Sequence, residues 1–121
     1  RYGLDHCWNG SFSNNSYKEV KDAFNDCDHV NVISGNICET YDMVKNPLSF
    51  GYLASDTLET GGLLLNFMWP RLSRDGIIAI CDYGSFPNCL PLTVYADKFF
   101  KDKTDAAIFH SSNVSFMHLI T

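Results

Sequence analysis

Positive charge is scarce in this 121-residue chain: nine Lys and Arg stand against fourteen Asp and Glu, a formal net charge of −5. Binding a phosphate backbone needs clustered Lys and Arg, so nucleic acid is set aside as a partner. Long apolar runs are missing too. The stretch 61–69 is among the longest and falls far short of the ~20 residues that span a bilayer, and Arg1 opens no signal-peptide pattern. The expectation is a soluble, cytoplasmic chain. Five cysteines, Cys7, Cys27, Cys38, Cys81 and Cys89, include no C-x-x-C pair and no Cys/His spacing of a zinc site. They read as free thiols in a reducing compartment. Three Asn-x-Ser triplets, at Asn9, Asn14 and Asn113, carry no weight without a secretion signal. No repeat, linker or low-complexity segment is present.

What is there is enough for a core: 45% hydrophobic residues and 14% aromatic ones, in a length that suits one domain. The most informative stretch is Ile77-Ile78-Ala79-Ile80-Cys81-Asp82-Tyr83-Gly84, reached from Trp69-Pro70-Arg71-Leu72 through Ser73-Arg74-Asp75-Gly76. A helix stopped by Pro, a turn, then a β-branched run ending on an acid is how an α/β sheet delivers a side chain to its carboxyl edge, where ligands bind.

Around it the pattern predicts alternating elements. Residues 1–15, rich in Gly, Asn and Ser, read as a loop or arm. Ser16-Tyr17-Lys18-Glu19 fits a capping box for a helix over 16–27, with Val20, Ala23, Phe24 and Cys27 at helical spacing. Residues 30–33 read as a strand running into Ser34-Gly35-Asn36, and 39–45 as a helical turn ended by Asn46-Pro47. A strand over 48–54 precedes a helix capped by Asp56 and stopping near Pro70. After the strand 77–81 come a helix over 91–101 and two short strands, 106–110 and 115–120, whose polar connection implies an antiparallel hairpin. The order implies an α/β fold with a mostly parallel sheet of about five strands.

These segments, in this order, resemble the macrocin O-methyltransferase (TylF) family of class I S-adenosylmethionine-dependent enzymes over almost the whole chain. Gly10-Ser11-Phe12-Ser13 with Glu19-Val20-Lys21 and Phe24 resembles the segment opening the family helix before its third strand. Ile33-Ser34-Gly35 with Glu39-Thr40 resembles its "I-x-G…E-T" stretch, and 50–59 lies where the family has "Asp-x-Asp-x-Tyr-Glu". Pro70-Arg71-Leu72, Gly76-Ile77-Ile78 and Asp82-Tyr83-Gly84 follow "P-R-L…G-G-x-I…D-D-Y-G", and Asp97 and Phe99 fall on "A-V-D-x-F".

The resemblance implies a Rossmann-like methyltransferase fold and methyl transfer from S-adenosylmethionine to a hydroxyl of a sugar or other small-molecule substrate, with magnesium acidifying the hydroxyl. It places the family's glycine-rich cofactor loop upstream of residue 1, so the chain is expected to be a single partial domain, 1–121, inactive by itself. The positions that hold magnesium in the family are Ala54, Cys81 and Asp82 here. Asp82 is the acid that remains, and Asp56 is the candidate substitute for the one lost at Ala54. Both have a plainer reading, Asp82 as a loop cap and Asp56 as the helix cap. Gly35 and Asn36 are the cofactor-side candidates, lying where this fold places the adenine edge, against the reading that Gly35 only turns the chain. Cys81 beside Asp82 reads as a small buried residue rather than a nucleophile. No catalytic residue is assigned; among the scattered histidines His6 is the one to test as a base. The rival reading is a non-catalytic α/β domain that self-associates. If 30–33 pairs with the strand over 48–54, the sheet closes within one chain; otherwise two copies are expected to meet there as a homodimer.

Overall fold

A computed structural model describes residues 14–84, 89–103, 106–110 and 115–120, the last two segments as backbone strands. Helix α1, Tyr17–Ala23, starts as the capping box requires: Ser16 Oγ accepts from Glu19 N–H at 3.2 Å and donates to Glu19 Oε2 at 2.8 Å. It stops four residues short of the expected end. From Phe24 onward the amides reach back three residues rather than four, Phe24 to Lys21 and Cys27 to Phe24, where Asn25 and Asp26 favour turns over helix. No residue of α1 is buried.

Residues 30–33 form no strand. β-branched side chains suit a pleated surface but create none; a ladder partner is required, and here Val30 N–H is tied back to Cys27 O at 3.0 Å. Past Gly35, at φ +130°, the chain enters the short helix α2, Ile37–Thr40, and a 3₁₀ turn, Tyr41–Met43, that packs Tyr41 edge-on against Phe67.

Strand β1, Leu48–Leu53, leads to helix α3, Leu58–Met68. Its cap is Thr57, whose Oγ1 accepts from Thr60 N–H at 3.3 Å, so the expected capping role of Asp56 falls to its neighbour. A 3₁₀ turn, Trp69–Arg71, then delivers β2, Leu72–Cys81. The anticipated turn at 73–76 survives inside this strand as a break in register: Leu48 faces Leu72 but Phe50 faces Ile77, two steps along β1 against five along β2. Asp75 at φ +60° makes the bend, and Ser73 Oγ donates to Leu48 O at 3.1 Å across it. Helix α4, Leu90–Phe100, begins with Pro91 in its first turn, where a missing N–H is harmless. Strands β3, Ala106–His110, and β4, Ser115–Ile120, complete the sheet.

Among the described residues the sheet has four strands in the order β1-β2-β4-β3. β1 and β2 are parallel, whereas β2–β4 and β3–β4 are antiparallel, so the sheet is mixed rather than mostly parallel. Its core is Leu53, Leu65, Ile78 and Ile80, closed by Phe67, Met68, Leu92, Ala96 and Phe100 from α3 and α4. The two helices approach closely at Gly61, where an added Cβ would lie 2.4 Å from Leu92 Cδ1. Alternation along β1 turns Gly51 and Leu53 to this core, while Phe50 and Tyr52 each remain 56% exposed. No helix among the described residues is long and apolar enough to cross a membrane.

Candidate functional site

Because β1 and β2 run parallel, their carboxyl ends emerge at one edge of the sheet. β1 ends at Leu53 and passes through Ala54 and Ser55 to Asp56; β2 ends at Cys81 and passes directly to Asp82. Asp82 sits at φ +57°, a backbone region that non-glycine residues seldom occupy and that gathers at functional turns. Each carboxylate meets a thiol. Cys81 Sγ donates to Asp82 Oδ2 at 3.4 Å, and Cys89 Sγ, from the start of α4, donates to Asp56 Oδ1 at 3.8 Å.

Burial is the main force on Asp56 and Cys89. It raises the Asp56 carboxyl above the usual aspartate range, the negative charge of Asp82 raises it further, and the Cys89 hydrogen bond pulls the other way. The Cys89 thiol, 3% exposed, is pushed up to about 11, first by burial and then by the charges of Asp56 and Asp82. Tyr52 reaches the same edge from β1, and its phenol is raised by its hydrogen bond to Cys81 and by the charge there. Behind Asp82 the turn is anchored to α4: Thr93 Oγ1 accepts from Gly84 N–H at 2.9 Å and donates to Cys89 O at 3.1 Å. Tyr83 donates to Asp97 in a short hydrogen bond that, after burial, raises its phenol further.

Asp56 and Asp82 are therefore brought to one edge, close enough to feel each other's charge. Magnesium does not fit them. A hard cation needs several oxygen ligands, Ala54 offers none, and each acid already accepts a hydrogen bond from a thiol. Among the described residues no group of three His, Cys, Asp or Glu is arranged to hold a metal. On the cofactor side, Asn36 Oδ1 accepts from Cys38 N–H at 3.0 Å as the cap of α2, and its carbonyl accepts from Thr40 Oγ1 at 3.0 Å. At Gly35 an added Cβ would come within 2.9 Å of Thr40 Cγ2 at a φ that already favours glycine. Both residues are thus engaged in turning the chain. Cys38 Sγ lies 3.7 Å from Thr60 Oγ1, so this turn sits beside the start of α3 and hence near the Asp56 edge. His6 lies outside the described residues.

Sequence reasoning missed Cys89 and Thr93. The signal was present in Cys89-Leu90-Pro91, a helix start marked by Pro, with Thr93 one turn on.

No family model matches this sequence, and no curated protein matches it. A solved structure described as a "putative rRNA-methylase" from Clostridium thermocellum is similar to this chain with a TM-score of 0.63 and 15% sequence identity, over 87% of this chain and 69% of that one. Likeness at that identity speaks for the fold: the chain has a methyltransferase-like, Rossmann-like α/β fold.

Proposed function

We propose that this chain is a domain of the S-adenosylmethionine-dependent methyltransferase type, related through its motif order to the TylF O-methyltransferases of sugar and small-molecule hydroxyls, in which magnesium-assisted transfer is lost. One observation carries this reading: Asp56 and Asp82 come to the carboxyl edge of the parallel pair, as an acceptor site requires, but each is held by a thiol in place of a cation. The methyl donor supplies an electrophilic carbon when bound. What the chain adds at this edge is a pair of acids, of which Asp56 holds its proton to higher pH than an ordinary aspartate.

Calorimetry with S-adenosylmethionine and its demethylated product, with and without magnesium, tests the reading. Binding weaker than micromolar and no magnesium-dependent heat are expected, and millimolar magnesium should leave the melting temperature unchanged. The double variant Ala54→Asp, Cys81→Asp restores two oxygen ligands beside Asp82 and should gain a magnesium-dependent rise in melting temperature. A magnesium-dependent rise in the melting temperature of the unaltered chain, or a revertant indifferent to magnesium, would sink the proposal.

A second reading, a non-catalytic domain that works by binding, is favoured by β1, whose outer edge meets no other described strand and whose Phe50 and Tyr52 stand exposed.

A further inference from the structure

Two β-forming stretches of this chain lack a partner among the described residues. Among the described residues β1 hydrogen-bonds to β2 alone and nothing pairs with its outer edge. Residues 31–33 carry β-branched Val32 and Ile33, yet their backbone groups bond to no other described residue. This run does not close onto α1 either. A groove of about 460 Å³ separates them, lined by Tyr17, Lys21 and Phe24 on the helix and by Val30, Val32 and Ile33 on the run. Tyr17, Val20 and Phe24, one apolar stripe of α1, are exposed, as are Phe50 and Tyr52.

We propose that two copies of this chain exchange these elements: the run 30–33 of one copy adds in parallel to the outer edge of β1 in the other, and the reverse, giving a closed two-fold dimer. The exchange pairs both stretches with sequences the chain already holds, and because it is reciprocal it closes at two copies. Charge sets the direction. Parallel addition brings Asp26 and Asp28, which precede the run, beside Lys45, which precedes β1; among the described residues Lys45 makes no ion pair. Antiparallel addition would press the same acids against Asp56 and Asp82 at the other end of β1. The proposal is independent of whether the carboxyl edge is catalytic.

Light scattering on the full chain over a concentration series should show a monomer passing to a dimer, with the amides of 31–33 and β1 becoming slower to exchange hydrogen as the dimer forms. Val32→Pro removes an N–H from the donating run, and Phe50→Lys puts a charge on the receiving strand. Each should halve the mass to that of a monomer while helical circular dichroism persists. Mixing the two should restore association, because the intact run of one fits the intact edge of the other. The proposal is overturned by an unaltered chain that stays monomeric at every soluble concentration, by a dimer that survives Val32→Pro, or by amides of 31–33 whose exchange ignores concentration. The hydrogen-exchange comparison on the unaltered chain decides the matter even if a variant fails to fold.

Discussion

Cys89 is guarded twice over, by a 3% exposure that keeps reagents out and by a thiol pushed up to about 11 that keeps the reactive thiolate rare. Alkylation of the native protein at neutral pH should therefore label Cys27, Cys38 and Cys81, which are all half-buried, well before Cys89. Peptide mass spectrometry over time reads the order, and early labelling of Cys89 would refute it. Asp56 makes a pH prediction. Its carboxyl is raised in the folded chain, so the fold binds that proton more tightly than the unfolded chain does. The resulting stability is full below the ordinary aspartate range and is lost as pH rises through the raised value. Asp56→Asn keeps an oxygen for Cys89 but does not titrate. Its melting temperature relative to the unaltered protein should climb as pH rises above the ordinary aspartate value of about 3.9, by a few degrees at most for a half-buried group. A constant difference would show that the site does not hold the proton. This residue also marks the limit of sequence reading. Asp56 and Thr57 are both good caps in adjacent places, and local preference could not choose; the distant Cys89, which engages the carboxylate, identifies the one left for other work.

At the scale of elements, α3 and α4 meet through two consecutive glycines whose surroundings differ. A Cβ at Gly61 would lie 2.4 and 2.8 Å from the methyls of Leu92 and 3.1 Å from its Cγ, in a core where Leu92 is itself buried. A Cβ at Gly62 would rest 3.4 Å from the Tyr95 ring, an ordinary contact. Alanine at either position gains up to about 1 kcal/mol of helix preference, but overpacking costs about 1–3 kcal/mol. Gly61→Ala should thus destabilise in chemical denaturation, and Gly62→Ala should be neutral or stabilising. Equal effects would mean that the helices have slack to separate. Elements with their own signals were legible: the Ser16 box gave the start of α1, Pro70 the end of α3, and the apolar run the buried part of β2. The run 30–33 was not, because strand formation depends on a neighbour, which the run itself does not specify. The end of α1 was also misplaced, since the apolar spacing continues to Cys27 while the backbone has already turned.

For the whole molecule, the sheet order β1-β2-β4-β3 means that β4 alone joins β3 to the parallel pair. Deleting residues 115–120 should therefore do more than trim an end. It removes the partner of Ile77 to Cys81 and strands β3, so a single cooperative melt should give way to a broad, low-temperature transition seen by circular dichroism. Retention of a sharp melt would mean that α3 and α4 hold β1 and β2 unaided. Alternation of helix and strand was enough to place this chain among α/β proteins, and the polar connection after 110 to expect β3 and β4 antiparallel, yet that β4 also runs against β2 emerged only from the pairing.

That pairing also sets a clock. A ribosome releases the chain from its amino end, so β1, α3 and β2 emerge and dock while the flank of β2 that faces β4 still lacks its partner. Ile77 to Cys81, the most apolar stretch of the sequence, must wait through α4, β3 and the connection between β3 and β4 before residues 115–120 arrive. During that interval the nascent protein presents a sticky, half-built ladder, the kind of surface that chaperones hold and that neighbouring chains capture. The vulnerable period of this protein is its birth, and its length is fixed by the distance along the chain from Cys81 to Ser115.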